Sequence, residues 1–263
     1  MARMSFVMRS CAVTAASLLA GCVAFSAAPA SASDTPGIEF ELGGGGNVAP
    51  RYEGSSDYFL SPYPTFRLKR LTLPNGFQIG GGDGMGLSFY PSFNFRGARK
   101  AADTPALTGL ADVEAAVELG LGASYATPGF KVFGEVRRGV TGHEGYVGEF
   151  GADMSFQPAE RLTVAAGPRI SFADGEYMDR YFSVTAAEAI ASGLPQFDAG
   201  AGFKTVGAEV SARYEMGADW ALESAARYDR LVGDAGDSPV TGIGSRNQFG
   251  VRLGLVRHFR IDF

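Results

Sequence analysis

The side chains that most often carry catalysis are scarce in this 263-residue chain and lie far apart. His143 and His258 are its only histidines. A Ser-His-acid hydrolase needs a histidine beside a nucleophilic serine. Ser238 and Ser245 fall in a loop before the last predicted strand, whereas His258 falls near the far end of that strand, and His143 has no serine nearby. We therefore expect a non-enzymatic protein in which His143 is a solvated loop residue.

Motifs for metals, cofactors and phosphates are also missing from the sequence. No Cys/His spacing is typical of a metal site, and both cysteines stand near the amino terminus. The glycine-rich runs at 43–46 and 80–86 lack the Lys-Ser/Thr pair and the following helix of a phosphate loop. With a formal net charge of −5, we expect neither a cofactor nor a nucleic-acid partner.

Charge is instead spread over every second position of a series of apolar segments, and such positions share one face of a β-strand. The charged side chains predicted to face away from the apolar side are Glu114, Glu118, Lys131, Glu135, Arg137, Glu149, Asp153, Arg169, Glu209, Arg213, Glu215, Glu223, Arg227, Asp229 and Arg252.

The segment that best explains this pattern is the last one, from Gln248 to Phe263. Its 16 residues alternate between an apolar set and a polar or glycine set, well beyond the about 5–6 residues of a common globular strand. A long strand with one apolar face is typical of a transmembrane β-barrel wall. Its aromatic end makes Phe259 and Phe263 candidate signals for the barrel assembly machinery.

Arg257 is the one charged residue on the apolar face of that segment. An arginine facing lipid costs about 2–4 kcal/mol at the bilayer midplane and about 0–1 kcal/mol near an interface. We therefore expect the membrane boundary to lie near Phe259, where the long side chain of Arg257 can reach polar surroundings.

The alternation recurs along residues 33–263 and predicts one all-β domain, an antiparallel transmembrane β-barrel of about twelve strands, with ten as the alternative. The glycine-rich stretch from 70 to 86 leaves the count open. Short turns near positions 128, 158 and 217 alternate with longer loops near 102, 185 and 238, an asymmetry of outer-membrane barrels. At the short-turn end we expect an aromatic girdle of Tyr125, Phe156, Trp220 and Phe259.

Two interpretations fit the charged interior of such a barrel. It could be a selective pore, or its acidic and basic side chains could pair because they are shielded from bulk water. A small barrel has a narrow lumen that side chains fill. We favour a crosslinked, filled interior.

Residues 1–32 resemble an export signal, with two arginines, an apolar run and the small-residue site Ala30-Ser31-Ala32. We expect the mature chain to begin at Ser33. A lipoprotein-type cleavage that leaves Cys22 acylated is the alternative. With either site, we expect no disulfide in the barrel, because both cysteines belong to the leader.

The longest loop, from Ala173 to Ala199, combines a helix signal with apolar residues. Thr185 and Glu188 match a capping box and Gly193 suits the residue after a helix, so we predict a helix from Ala186 to Ser192. A long loop is often functional or packed on itself. We expect a partial lid over the barrel mouth; an alternative is a mobile loop in contact with lipopolysaccharide. The candidate lid residues are Tyr181, Phe182, Ile190, Leu194 and Phe197.

Three stretches resemble the MipA/OmpV family of outer-membrane proteins. They are Pro50–Gly54, Tyr181–Thr185 with Ala189–Leu194, and Arg227–Leu231 continuing through Asp237-Ser238-Pro239. The resemblance covers nearly the whole mature chain, although the family's strand pair near Phe77–Phe95 is shortened here. It implies a barrel without an established catalytic motif. It also implies a scaffold that links a lytic transglycosylase to a penicillin-binding protein, while other members are linked to adhesion, osmotic response or antibiotic susceptibility.

Pattern and resemblance together predict a scaffold or structural protein of the cell envelope. We expect it in the outer membrane of a Gram-negative bacterium, surrounded by outer-membrane lipid and lipopolysaccharide. A passive channel for small solutes and a surface adhesin that uses the long loops are the alternatives.

Overall fold

The computed structural model describes residues 36–75, 78–79 and 85–263, and the predicted leader lies outside these residues. The described part forms one antiparallel sheet. Its strands are β1 (Gly37–Pro50), β2 (Tyr58–Thr72), β3 (Gln78–Ile79), β4 (Gly86–Arg96), β5 (Ala116–Thr127), β6 (Phe130–Gly139), β7 (Tyr146–Ala159), β8 (Leu162–Ala173), β9 (Gly202–Glu215), β10 (Trp220–Leu231) and β11 (Asn247–Asp262).

Four short helices occupy the longer loops. They are α1 (Gly175–Phe182), α2 (Ala186–Ser192), α3 (Gly233–Asp237) and α4 (Pro239–Gly242), and a 3-10 helix spans Pro105–Leu107. Among the described residues, no helix has the length and apolar character needed to cross a membrane.

The sheet closes on itself through the two ends of the chain. β1 pairs with β11 from Gly37↔Asp262 to Val48↔Val251, and the strand order runs β3-β2-β1-β11-β10-β9-β8-β7-β6-β5-β4. The result is a nearly closed antiparallel barrel, as the alternation predicts.

The expectation of twelve strands is wrong, and the alternative of ten matches the structure. Ten strands are long, and β3 has only two residues, which pair with Leu71 and Thr72. β3 and β4 run in the same direction. The sequence between them is rich in glycine, so alternation predicts no strand boundary there.

The outer face of the wall is an apolar belt. Exposed large apolar side chains occur on every long strand except β8, with Leu60 72% exposed, Leu121 74% and Met154 70%. An apolar surface of this extent is not expected in contact with water. It matches the lipid-facing band of a barrel in a bilayer. The long strands have 10 to 16 residues, enough to span the hydrocarbon core.

The two ends of the barrel differ. Tight turns join β5 to β6, β7 to β8 and β9 to β10, whereas the long loops and all four helices lie at the other end. β5 begins at Ala116, four residues later than the alternation suggests, and the residues before it belong to a long loop. The long-loop end therefore carries the structure that covers the lumen.

Candidate functional site

The long loops fold together into a compact cap over the barrel mouth. We use "cap" for residues 51–57, 97–115, 174–201 and 232–246. Its central element is α1, which begins at Asp174, whose carboxylate accepts a hydrogen bond of 2.9 Å from the Tyr177 N–H. The helix buries Tyr177, Met178, Tyr181 and Phe182. The sequence analysis missed α1, although the Asp174 cap and the spacing of these four side chains could have revealed it.

Two apolar clusters hold the cap together. One joins α1 to the strand ends and to α3 through Val113, Val147, Ala173, Tyr177, Met178, Tyr181, Phe182, Ala199, Leu231 and Ala235. The other joins the remaining loops through Tyr52, Leu107, Leu110, Val184 and Val240. Because segments far apart in sequence share these clusters, the cap behaves as one body with the upper wall.

The candidate lid residues occupy different environments in this cap. Tyr181 and Phe182 are buried, and Leu194 and Phe197 are partly buried against the clusters. Ile190 is 88% exposed and takes no part in covering the mouth, because it lies on the outer side of α2.

Helix α2 forms at Ala186–Ser192, as its capping box predicts. The Thr185 hydroxyl and the Glu188 carboxylate cap the first turn reciprocally, and Gly193 ends the helix with a left-handed backbone (φ 77°). Glu188 also accepts a hydrogen bond of 2.8 Å from the Ala111 N–H. The helix has no buried residue, so it ties loops together while α1 fills the mouth.

A polar cluster lies directly beneath α1. Glu53 accepts hydrogen bonds from the Tyr177 hydroxyl (2.8 Å), Arg96 (2.7 Å) and Lys204 (2.6 Å). Burial raises the pKa of Glu53, but the charges of Arg96 and Lys204 outweigh it and bring that pKa down to about 2. The aromatic ring of Tyr177 also contacts both cations. This cluster fastens the cap to β4 and β9.

A second carboxylate, Glu118, lies one layer deeper and is fully buried. It accepts hydrogen bonds from Arg96 (2.6 Å), Asn94 (2.9 Å) and Arg137 (3.2 Å). The imidazole Nε2 of His143 lies 3.4 Å from it. These donors satisfy a charge that would otherwise be costly to bury.

The expectation that His143 is a solvated loop residue is wrong. Its side chain is fully buried, packed edge-on against the rings of Tyr177 and Tyr181. The cap, which is assembled from distant segments, covers this loop. In the part of the chain that the structure describes, no serine hydroxyl is hydrogen-bonded to His143.

Further ion pairs cross the middle of the lumen. Arg227 makes two hydrogen bonds to Glu149, of 2.7 and 3.1 Å. Arg169 lies 2.8 Å from Asp153, and Glu209 accepts from Arg252 at 2.7 Å. The first pair joins strands three apart in the wall, the second joins neighbouring strands and the third joins strands two apart, so together they brace β7 to β11 from within.

The last layer lies toward the short turns and centres on Glu41, which is buried. Arg213 lies 2.8 Å and Lys69 3.7 Å from it, and Arg67 forms a further ion pair with it. Glu223 accepts from Arg213 at 2.5 Å. Arg67 and Lys69 remain 44% exposed, so the lumen is more open here than beneath the cap.

The predicted interior residues are placed as follows. Glu114 does not face the lumen: it lies in the loop before β5, 68% exposed, 3.8 Å from Lys100. Lys131 and Glu135 lie on the lumen side of β6, and Arg137 pairs with Glu135. The sequence analysis did not select Glu41, Glu53, Arg67, Arg96, Tyr177 or Lys204, and an isolated charge between two apolar residues was the available signal for Glu41.

A lumen cavity of about 170 Å³ remains between β1, β10 and β11, beside Arg227, Asp229 and Arg252. Among the described residues, no group of three or more His, Cys, Asp or Glu side chains could hold a metal ion.

At the short-turn end, Arg257 lies between two aromatic rings. Its guanidinium carbon is 5.6 Å from the centre of the Trp220 ring and 5.1 Å from that of Phe259. Tyr125, Phe156 and Trp220 are exposed at the same end. The rings and the cation mark a membrane interface.

Comparison with known families decides what kind of barrel this is. A family model described as "MltA-interacting protein MipA" matches residues 42–259, which is most of the chain. The chain belongs to the MipA family. The resemblance seen in the sequence is thereby confirmed, and this MipA-family protein is an outer-membrane β-barrel.

Solved structures that resemble the chain include a β-barrel domain, a surface protein and a channel. The N-terminal barrel domain of Pseudomonas aeruginosa OprF is 11% identical, with 66% of this chain and 98% of that one covered and a TM-score of 0.31. Neisserial surface protein A is 9% identical, with 88% and 100% covered and a TM-score of 0.28. A mutant of the monoaromatic hydrocarbon channel TodX is 10% identical, with 88% and 91% covered and a TM-score of 0.32.

Among curated protein sequences, none matches the chain significantly.

Proposed function

We propose that this protein is a non-catalytic scaffold of the Gram-negative outer membrane that holds a lytic transglycosylase at its periplasmic face. The family description, an MltA-interacting protein, supports this partner. A penicillin-binding protein would join the assembly through the transglycosylase. Export through the predicted leader would bring the chain to the barrel assembly machinery, which would insert it among lipid and lipopolysaccharide.

The observation that carries the proposal is the closed upper lumen. The cap covers the mouth, and buried carboxylates with their cations fill the space below it, around Glu53 and Glu118. A solute entering from outside would have to break these contacts, and each leaves a buried charge unpaired. A braced barrel suits a rigid support better than a passage.

The periplasmic face offers charged side chains for a partner. Glu160 and Arg161 lie exposed in the turn between β7 and β8, and Asp219 lies exposed in the turn between β9 and β10. Both turns are short, and each is held at both ends by paired strands. They therefore form a firm platform for docking.

Two measurements test the proposal. Planar-bilayer recording of the purified protein should show no stable conductance. A complex with the transglycosylase, crosslinked in envelopes, should copurify with the intact chain and be largely lost with E160A/R161A. The matched control R138A/E144A removes an exposed ion pair from the opposite end and should keep the complex.

Reproducible single-channel steps from the intact protein would favour the passive channel instead. Equal capture of the transglycosylase by both double variants would remove the periplasmic turns from the proposal.

A further inference from the structure

The barrel wall has one seam, between β2 and β4. β2 pairs with β1 along its length and with β3 only at Leu71 and Thr72, and β4 pairs with β5. Among residues 36–75, 78–79 and 85–263, no ladder joins β2 to β4. We propose that this seam is a lateral opening, through which an alkyl chain of a lipid or a single-chain amphiphile passes between the bilayer and the lumen.

Two prolines keep the β2 edge from pairing across the seam. The Arg51 N–H donates to the Asp57 carbonyl at 2.8 Å, and hydrogen-bonded pairs then recur at every second residue of the β1–β2 ladder. From Phe59 to Arg67, odd-numbered residues of β2 therefore bond to β1 and even-numbered residues face the seam, and a bulge ends this pattern before Arg70. Pro62 and Pro64 are even-numbered, so two seam positions have no N–H to donate.

A third proline does the same on β4. Val117 of β5 receives a hydrogen bond from the Val140 N–H at 2.8 Å and donates to the Thr141 hydroxyl at 3.0 Å, so its backbone turns toward β6. On its other side Val117 lies opposite Phe95 of β4, and the two residues form a pair without backbone hydrogen bonds to each other. The other odd-numbered residues of β4 are in the same position, so their backbone N–H and C=O groups point away from β5. Pro91 is one of these, and its nitrogen also faces the seam.

The lumen side chains of β2 lean away from the seam. The Tyr63 ring lies 5.8 Å from the guanidinium carbon of Arg252, which is on β11, beyond β1. Arg67 donates to Glu223 of β10 at 3.0 Å. Neither side chain closes the gap toward β4.

The lumen side chains of β4 lean the opposite way. Ser92 donates to Glu135 at 2.9 Å, and Asn94 donates to Glu118 at 2.9 Å. The Tyr90 ring lies over Gly122 of β5, where a Cβ atom would be only 2.3 Å from its Cζ. The two strands thus turn their side chains outward from the seam, toward their bonded neighbours.

The lining of the seam suits an uncharged chain. Lumen-facing residues between Phe59 and Thr65, and between Ser88 and Asn94, carry only aromatic, hydroxyl or amide groups. On the bilayer side, Leu60 and Phe89 are 72% and 63% exposed. The side chains that border the seam carry no formal charge themselves, and the nearest charged groups, such as Arg252 and Glu135, lie one layer further into the lumen. A charged group that entered the seam would have to give up its water.

Quenching by brominated acyl chains tests the opening. In a W220F background reconstituted in brominated phospholipid, a reporter placed by Tyr63→Trp should be quenched to at least about half the extent of a lipid-facing reporter placed by Leu121→Trp. A lumen reporter away from the seam, placed by Phe133→Trp, should show little quenching. Equal, weak quenching at positions 63 and 133 would overturn the proposal.

Restoring the missing donors gives a second, independent arm. In the Tyr63→Trp chain, P62V/P64V/P91V should allow β2 and β4 to form backbone hydrogen bonds with each other and should lower quenching to the level at position 133. The control P168V, which changes a proline of β8 within the paired wall, should leave quenching unchanged. Persistent quenching in the triple variant, with heat-modifiable gel mobility showing a folded barrel, contradicts the role of the seam. Dibromostearate, added at low fraction to unbrominated lipid, distinguishes the two kinds of alkyl chain. Quenching by dibromostearate assigns the opening to a single-chain amphiphile. Quenching by brominated phospholipid but not by dibromostearate assigns it to phospholipid.

Discussion

The hydroxyl of Tyr177 donates a hydrogen bond of 2.8 Å to Glu53, which lies 124 positions earlier in the chain. This contact joins the helix at the centre of the cap to the loop between the first two strands. Arg96 and Lys204 bind the same carboxylate from two strands of the wall. The Glu53 carboxylate therefore joins the cap to the wall through four segments that are far apart in the chain.

Replacing Glu53 with glutamine should loosen the cap while leaving the barrel assembled. Removing one partner of a buried ion pair costs about 3–5 kcal/mol. Here it takes the Glu53 carboxylate from Lys204 and leaves Arg96 with Glu118 as its carboxylate partner. Backbone amides of α1 should lose most of their protection in hydrogen exchange. Glu144→Gln breaks only an exposed pair and should leave that protection unchanged; an equal loss in both variants would disprove the fastening role.

The cap should stay attached to a lower pH than it would if the Glu53 carboxyl had its ordinary pKa. The pKa of Glu53 is lowered from 4.5 to about 2 in the folded cap. Its contribution to stability is therefore complete above pH 4.5 and is lost as the pH falls from there toward 2. Near-ultraviolet circular dichroism of the cap tyrosines should hold at pH 5 and decline below pH 4.5, and E53Q should remove that step. A transition at pH 6 would contradict the assignment.

Charge on the lipid face should be tolerated at position 257 and rejected nearer the midplane. Arg257→Leu removes a cation held by Trp220 and Phe259, so the unfolding free energy of the barrel in lipid vesicles should fall by about 1 kcal/mol or less. Leu253→Arg places a charge deeper in the apolar belt and should cost about 2–4 kcal/mol. Similar costs at both positions would move the membrane boundary away from Phe259.

The two aromatic residues at the carboxyl end should have separable roles. Phe259 stacks on Phe40 with ring centres 5.3 Å apart, so Phe259→Ala should lower the stability of the refolded barrel by about 1 kcal/mol. Phe263 is exposed apart from a backbone hydrogen bond to Pro36. We predict that Phe263→Ala leaves refolded stability unchanged but lowers the amount assembled in cells, measured by heat-modifiable mobility. Normal assembly of F263A would place the signal at Phe259.

The sequence predicts most where structure depends on neighbours in the chain. The alternation from Gln248 onward predicts β11, and the capping box at Thr185 predicts α2, because each pattern acts over a few residues. The burial of His143 could not be predicted, because it depends on a cap assembled from four separate segments. Glu114 was misplaced because the alternation continues past the point where β5 leaves the wall.

The strand count failed for a related reason. Alternation identifies a strand through its side chains, and the stretch from 80 to 86 consists mainly of glycine. Which residues border the seam depends on the pairing of β2 with β1 and of β4 with β5. The prolines at positions 62, 64 and 91 are the trace that this pairing leaves in the sequence.

The pairing of Gly37 with Asp262 brings the first and last strands side by side. The two ends of the barrel sequence therefore lie in the middle of the sheet, and the edges of the sheet are formed by β3 and β4. A short peptide linking the two strand ends would span a small distance, and new termini could be placed between β3 and β4, the two ends of the strand order. Such a circular permutant would run from β4 around to β3 with each strand laid beside the one before it. Its two ends would then coincide with the edges of the sheet.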